Sequence, residues 1–286
     1  MLKMKRLRMA SIFVVLGGIF FLSSSASGDH HGAESEGATV GAALQAVIDG
    51  THRSDANRAR DDDRHPGETL SWLGLKSDMT VVEISPGRGW YTEIIGPYLK
   101  DEGKLYLAGP DLESDRDYSK THIKLMDERL SQKDIYGAAT VTELAPPAKM
   151  DIAPEGTADM VLTFRNTHNW MRAGTSDLVY AAMFKALKPG GVLGVVQHRA
   201  NPDSAKDSKA PSGYVHESTV IAMAEQAGFK LVAQSQINAN SKDTKDYSGG
   251  VWSLPPVLGQ GVEEKEKYLA RGESDRLTLK FKKRVE

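Results

Sequence analysis

A chain of 286 residues, 40% hydrophobic and 26% charged, has the length and apolar content for one large α/β domain with extensions; neither disorder nor collagen-like order is indicated. It contains no cysteine, which excludes disulfides, thiolate metal sites and cysteine nucleophiles together. With 36 Lys and Arg against 38 Asp and Glu, the charge balance argues against nucleic acid as the main partner, since phosphate binding rests on clustered cations.

The opening residues differ from the rest. Basic MLKMKRLRM, apolar ASIFVVLGGIFFL and small, polar SSSASG follow one another in the order of a secretory signal. Ser24 and Ala26 suit the cleavage positions, so residues 1–26 are expected to be a signal peptide and the mature chain to be periplasmic or secreted. The apolar run is short for a span of about 20 residues, so no stable membrane insertion is expected after cleavage. Losing Lys3, Lys5, Arg6 and Arg8 with no acid takes the net charge from −2 to −6, a mildly acidic surface. Residues 27–40 are polar and Gly-rich, with little apolar surface to offset ordering, and are expected to be flexible. Residues 41–286 read as a single domain with an N-terminal helical extension.

Within that domain, residues 42–48 suggest a short helix, THRSDANRARDDDRHPGE a charged connector, and Leu70, Trp72 and Leu73 a second short helix. Asp61, Asp62 and Asp63 have the oxygen chemistry of a hard-cation site, but flanked by Arg60 and Arg64 they read as a solvated run, and no metal is expected. Strands are predicted at 80–84, 104–108, 139–143, 160–164 and 192–196, separated by helices at 90–99, about 118–130 and 178–187. In the last of these, Leu178, Ala181, Ala182, Phe184 and Leu187 share one face at helical spacing. A helix at 217–227 stops at Gly228, and strands at 230–237 and 277–283 follow with only a polar stretch between them, placing them for antiparallel pairing. Alternating elements of this kind make an α/β, Rossmann-like three-layer sandwich around a seven-stranded, mostly parallel sheet with an antiparallel last strand.

The segment MTVVEISPGRGWYTEIIGPYL carries the most chemistry. An apolar strand runs into Glu83, then a tight turn with Gly87 and Gly89, then an amphipathic helix. Glycines there let a ligand reach the backbone, and the helix start offers free N–H groups to polar or anionic atoms. A sharp structural corner would have the same pattern. The spacing acidic-x-Gly-x-Gly-x-Gly resembles the signature of class I S-adenosylmethionine-dependent methyltransferases, with Glu83, Ser85, Gly87 and Gly89 in its places and serine for the first glycine. MFKALKPGGVLGVVQHR resembles the helix, turn and fifth strand of that family, and Ala227-Gly228-Phe229 with the ending LKFKK its sixth and seventh strands. VVEISPGRGWYTEIIGPYL, FRNTHNW and RGESDR further resemble a group of exported bacterial proteins assigned to that superfamily.

The resemblance implies S-adenosylmethionine as cofactor, an acceptor of small-molecule type, and a cradle of Glu83, Ser85, Gly87, Gly89 and Trp90. Family members usually end the second strand on an acid that binds the ribose; this chain has Gly109 there, with Asp111 two residues on as the substitute. After the fourth strand, Arg165 and Asn166 are placed beside the cofactor and Asn169 and Trp170 toward the acceptor, at the edge where open α/β folds bind ligands. Trp170 reads either as an aromatic wall for a sulfonium or as a cap on the core. His168, His198 and His216 are the candidate catalytic groups, the last two as general bases of near-neutral pKa. A nicotinamide site fits less well, because Thr92 stands where GxGxxG needs its third glycine. The alternative is an exported binding protein that keeps this fold with a degenerate pocket and no turnover, suggested by Ser85 and Gly109.

Overall fold

The computed structural model describes residues 39–259, 261 and 264–285, which fall in the second of two compact units, Gly32–Glu286. The expected signal peptide and residues 27–38 of the expected flexible N-terminus lie outside the described residues.

Helices α1 (Ala42–Ile48), α2 (Asp55–Arg58), α3 (Asp61–Arg64) and α4 (Pro66–Leu73) precede the sheet. Then come β1 (Thr80–Ile84), α5 (Thr92–Leu99), β2 (Lys104–Gly109), α6 (Asp117–Leu130), α7 (Lys133–Tyr136), β3 (Thr140–Glu143) and β4 (Ala158–Phe164). The chain continues through α8 (Thr167–Ala173), α9 (Ser176–Ala186), β5 (Leu187–His198), α10 (Glu217–Gln226), β6 (Phe229–Ser235), a 3-10 turn (Gly250–Ser253), α11 (Lys265–Arg271) and β7 (Arg276–Lys283). The seven strands form one sheet in the order β3-β2-β1-β4-β5-β7-β6. All neighbours are parallel except β7, which runs antiparallel to both β5 and β6. The fold is thus the Rossmann-like sandwich that the alternating elements predict.

The central strands are largely apolar because both faces of the sheet are covered there, whereas the edge strand β3 has no buried residue. Val82, Ile84, Tyr106, Ala108 and Val161 point to one side, where Val179, Tyr180 and Met183 of α9 and Val220 and Ala224 of α10 pack. Val81, Leu105, Leu107, Met160 and Leu162 point to the other, against α1, α4 and α5.

Three expectations are corrected. The buried residues of α9 are Ser176, Val179, Tyr180, Ala182, Met183 and Ala186; of the expected face Ala182 and Leu187 are buried and Phe184 packs partly buried against the core, while Leu178 is 44% exposed, so the apolar arc is wider than one stripe and turned toward Val179, Tyr180 and Met183. The polar stretch before the last strand holds α11, anchored by buried Tyr268, whose hydroxyl donates to Glu264 Oε2 at 2.6 Å. The charged connector is also ordered, as α2 and α3. Within it Arg53 is buried and makes a two-pronged ion pair with Asp61 at 2.7 Å for each prong, so the acidic run is not wholly solvated.

Candidate functional site

At the carboxyl end of β1 the chain turns through Ser85 (φ +48), Gly87 (φ +60) and Gly89 (φ +75) into α5. The backbone is left-handed at all three, a conformation that glycine takes without strain and serine does not. A Cβ on Gly87 would meet nothing nearer than the carbonyl of Ser85 at 4.0 Å, so the turn is open to a ligand at that point. At Gly89 a Cβ would strike the guanidinium of Arg129 from α6, which donates to Glu93 Oε1 at 2.8 Å.

Glu83 closes β1 beneath this turn, 2% exposed. Thr92 Oγ1 donates to its Oε2 at 2.7 Å. Burial raises its carboxyl to about 7, against the Thr92 hydrogen bond and the charge of Arg129. Asn166, at the end of β4, donates through Nδ2 to the carbonyl of Ile84 at 3.0 Å and so ties β4 to the start of the turn.

Trp90 is placed otherwise than a ligand contact. Its indole donates to the carbonyl of Asn57 at 3.0 Å and lies under the guanidinium groups of Arg64 (4.6 Å) and Arg53 (5.2 Å). It fastens the N-terminal extension to α5. Tyr91 beside it stacks on Phe164, ring centroids 3.5 Å apart.

At the end of β2, Gly109 faces Met126 of α6, whose Cε would lie 2.9 Å from a Cβ there. Asp111 is occupied: Lys149 Nζ reaches its Oδ1 at 2.7 Å and Glu143 Oε1 at 2.7 Å. The hydrogen bond from Lys149 holds both carboxyls below their usual range. The turn at Gly87 therefore fits the approach of a nucleoside ligand. The end of β2 is different, since Asp111 and Glu143 there are both drawn to one lysine.

The ends of β4, β5 and β7 carry a second group of residues. Arg165 follows β4 at φ +63, and among the described residues its guanidinium makes no hydrogen bond or ion pair. His168, in the first turn of α8, is buried between His198 and Trp252, with ring centroids at 5.5 and 5.7 Å. Gln197 Nε2 donates to the carbonyl of Gly213 at 3.0 Å and lies 3.2 Å from His168 Nδ1, which therefore accepts and leaves the ring proton on Nε2. Burial pushes His168 down to about 4 against this hydrogen bond. His198 is pushed well below its ordinary value by burial, by His168 and by Arg165, Arg276 and Arg64. The near-neutral base expected at His198 is thus not what its surroundings give: both histidines stay neutral, and their nitrogens serve as hydrogen-bonding groups. His198 Nδ1 is bonded to Ser274 Oγ at 2.5 Å.

His216 stands apart, at the start of α10. It shares a groove of about 330 Å³ with Met171, Ala200, Ser204 and Tyr214, its Nε2 3.2 Å from Ser204 Oγ. Trp170 is 7% exposed and packs edge-on against Tyr180 in the core, so of its two readings the structure gives the core cap. Asn169 is exposed on α8.

Sequence reasoning missed the charged group that closes this edge. Glu273 accepts from Arg60 Nε at 2.7 Å, Arg64 Nε at 3.0 Å and Arg276 Nη2 at 2.6 Å. Burial alone would raise its carboxyl; Arg276, Arg64, Arg165 and Arg60 outweigh burial and hold it at about 2. The alternating charges of DDDRH and RGESDR are the available signal; the first reads as a solvated run, and the second enters the sequence reading only through the family resemblance.

No protein-family model matches the chain, and no curated protein matches it in sequence. Among solved structures, the [4+2]-cyclase SpnF superposes with a TM-score of 0.52 over 78% of this chain and 81% of its own, at 15% identity. A SAM-dependent methyltransferase from Aquifex aeolicus superposes with a TM-score of 0.50 over 79% of this chain and 93% of its own, also at 15% identity. Strand order, the single antiparallel strand and these superpositions agree that the chain has the Rossmann-like fold of S-adenosylmethionine-dependent methyltransferases.

Proposed function

We propose that this protein is exported and transfers a methyl group from S-adenosylmethionine to a small-molecule acceptor. The observation that carries the reading is the left-handed turn at residues 85–89, open at Gly87 and lying over the buried acid Glu83. S-adenosylmethionine would supply a methyl group activated on a sulfonium. Backbone N–H groups of the turn and the start of α5 would hold its polar end. Asn166 keeps the end of β4 in register with the turn. His168 and His198, both neutral, would orient an acceptor rather than carry a proton away, so the chain's contribution is placement more than acid–base chemistry.

A second reading is favoured by a specific observation. Met126 fills the space beside Gly109, and Lys149 draws off Asp111, so the ribose contact that the resemblance implies lacks its acid, as a degenerate pocket would. A fold shared with a [4+2]-cyclase does not fix the reaction. Isothermal titration of the purified protein with S-adenosylmethionine and S-adenosylhomocysteine, beside Gly87→Arg, separates the readings. Micromolar binding lost in the variant, followed by methyl transfer in an acceptor screen, supports the enzyme; the same binding without turnover supports the second reading. A folded wild-type protein that binds neither compound overturns both uses of the nucleoside site.

A further inference from the structure

Four guanidinium groups act on one carboxylate at the edge of β4, β5 and β7: Arg276, Arg64, Arg165 and Arg60 around Glu273. Of the other acids of this region, Asp63 accepts from the backbone N–H of Glu273 at 3.3 Å and the rest are committed elsewhere. Asp61 pairs with Arg53, Asp275 with Arg199 and Lys245, and Asp243 accepts from Tyr214 at 2.9 Å. Glu273 and Asp63 together leave a positive excess of two charges over the four arginines, and much of it is out of water: Arg64 is 1% exposed and Arg276 2%. Arg64 Nη1 and Nη2 and Arg276 Nε are buried without a hydrogen-bond partner.

Cations buried in this way repel one another and lack the acceptors that water would provide. The guanidinium of Arg165 is held below its ordinary value, to about 10, by burial and by the charges of Arg276 and Arg60, although Glu273 pulls the other way. The cluster is also placed where ligands bind. Arg165 directly follows β4, and Arg276 pairs in register with His198 at the carboxyl end of β5. A planar guanidinium fork matches the two oxygens of a carboxylate or phosphate.

We propose that this cluster is an oxyanion seat, and that the acceptor is a small molecule bearing a carboxylate or phosphate group bound by Arg165 with Arg64 and Arg276. The assignment to the acceptor rests on the methyl-transfer reading above; the seat itself does not. The neutral imidazoles of His168 and His198 beside it leave its positive charge to the arginines and add donors without adding to the repulsion.

The test is titration of the purified full chain with benzoate and with inorganic phosphate, at an ionic strength fixed by chloride, without and then with saturating S-adenosylhomocysteine. Wild type, Arg165→Gln and Arg165→Lys are compared by calorimetry and by thermal unfolding. We expect saturable binding of benzoate or phosphate, the preferred one naming the acceptor's group, weakened at least tenfold in Arg165→Gln and less in Arg165→Lys. Arg165→Gln should fold, because it removes a repelling charge, and its melting temperature without anion should equal or exceed that of wild type. Equal binding by wild type and Arg165→Gln, or no saturable binding of either anion, overturns the seat. Competition between the anion and S-adenosylhomocysteine overturns its assignment to the acceptor, since the seat would then belong to the cofactor's own carboxylate. Anion binding by Gly87→Arg, with S-adenosylhomocysteine binding absent even in wild type, would keep the seat while the methyl-transfer reading fails.

Discussion

Ser85 holds, at φ +48, a backbone that its neighbours Gly87 and Gly89 hold without a Cβ. The left-handed region is worth roughly 1–2 kcal/mol of strain for a residue with a side chain, partly offset by the extra freedom glycine has when unfolded. Ser85→Gly should therefore raise stability by up to about 1 kcal/mol, read as a higher urea midpoint at unchanged slope. A lower midpoint would mean that the serine hydroxyl makes up for the strain. Glu83, just before it, gives a pH-dependent prediction. Its carboxyl rises from 4.5 to about 7 on folding, chiefly through burial, so its contribution is most favourable below pH 4.5. Between pH 4.5 and 7 the unfolded chain ionises while the fold keeps the acid neutral, and stability falls by an amount on the order of 3 kcal/mol at most. Glu83→Gln should flatten that fall: nearly equal to wild type at pH 4.5 and more stable at pH 8, with Thr92 still donating to the amide oxygen. An offset that is the same at both pH values would place the acid in a better-solvated setting. The position of the turn, its two glycines and its acid are all legible in the sequence, because they are local. The protonation of Glu83 is not, because it depends on what covers the strand end.

Most elements of the sheet and its flanking helices follow from periodicity and turn residues to within a few residues of their observed ranges, while β5 runs longer than expected, Leu187–His198, and the short helices α7 and α8 are additional. What periodicity could not show is how α2 and α3 are held. Their anchors are residues far away along the chain: Arg64 and Glu273 are 209 positions apart, and Asn57 reaches Glu93 across 36. Nothing local in the charged connector points to the charged turn before the last strand, and only the fold brings them together. The cluster makes its own prediction. Glu273→Gln leaves the surrounding guanidinium groups without a carboxylate, and breaking a buried pair from one side costs about 3–5 kcal/mol. Because the folded carboxyl is held at about 2, the difference from wild type should be fully present above pH 4.5 and vanish as pH falls toward 2. Chemical denaturation at several pH values reads this directly. A loss of less than about 1 kcal/mol at pH 7 would mean that the arginines find other acceptors when the fold is intact.

Across the whole molecule the carboxyl edge of the sheet divides in two. Over β1 and β2 lie the open turn and Glu83; over β4, β5 and β7 lie neutral imidazoles among buried arginines. The first half is the part that the sequence resemblance identifies, and it is also where the chain departs from that family, at Gly109. The departure is structural as well as chemical, since Met126 stands where a side chain on residue 109 would go. An acid placed there alone would clash; an acid placed there with room made for it would not. Gly109→Asp combined with Met126→Ala should thus bind S-adenosylhomocysteine about tenfold more tightly than the wild type, the equivalent of about 1.4 kcal/mol and the range of one charge-assisted hydrogen bond to a ribose. Met126→Ala alone should lose stability through its cavity and gain no affinity. If the double variant binds no better than Met126→Ala, residue 109 does not face the ribose in this protein. The hydroxyls would then be met by Asp111 and Glu143, and Lys149→Ala, by freeing both carboxylates, should raise affinity where Gly109→Asp did not.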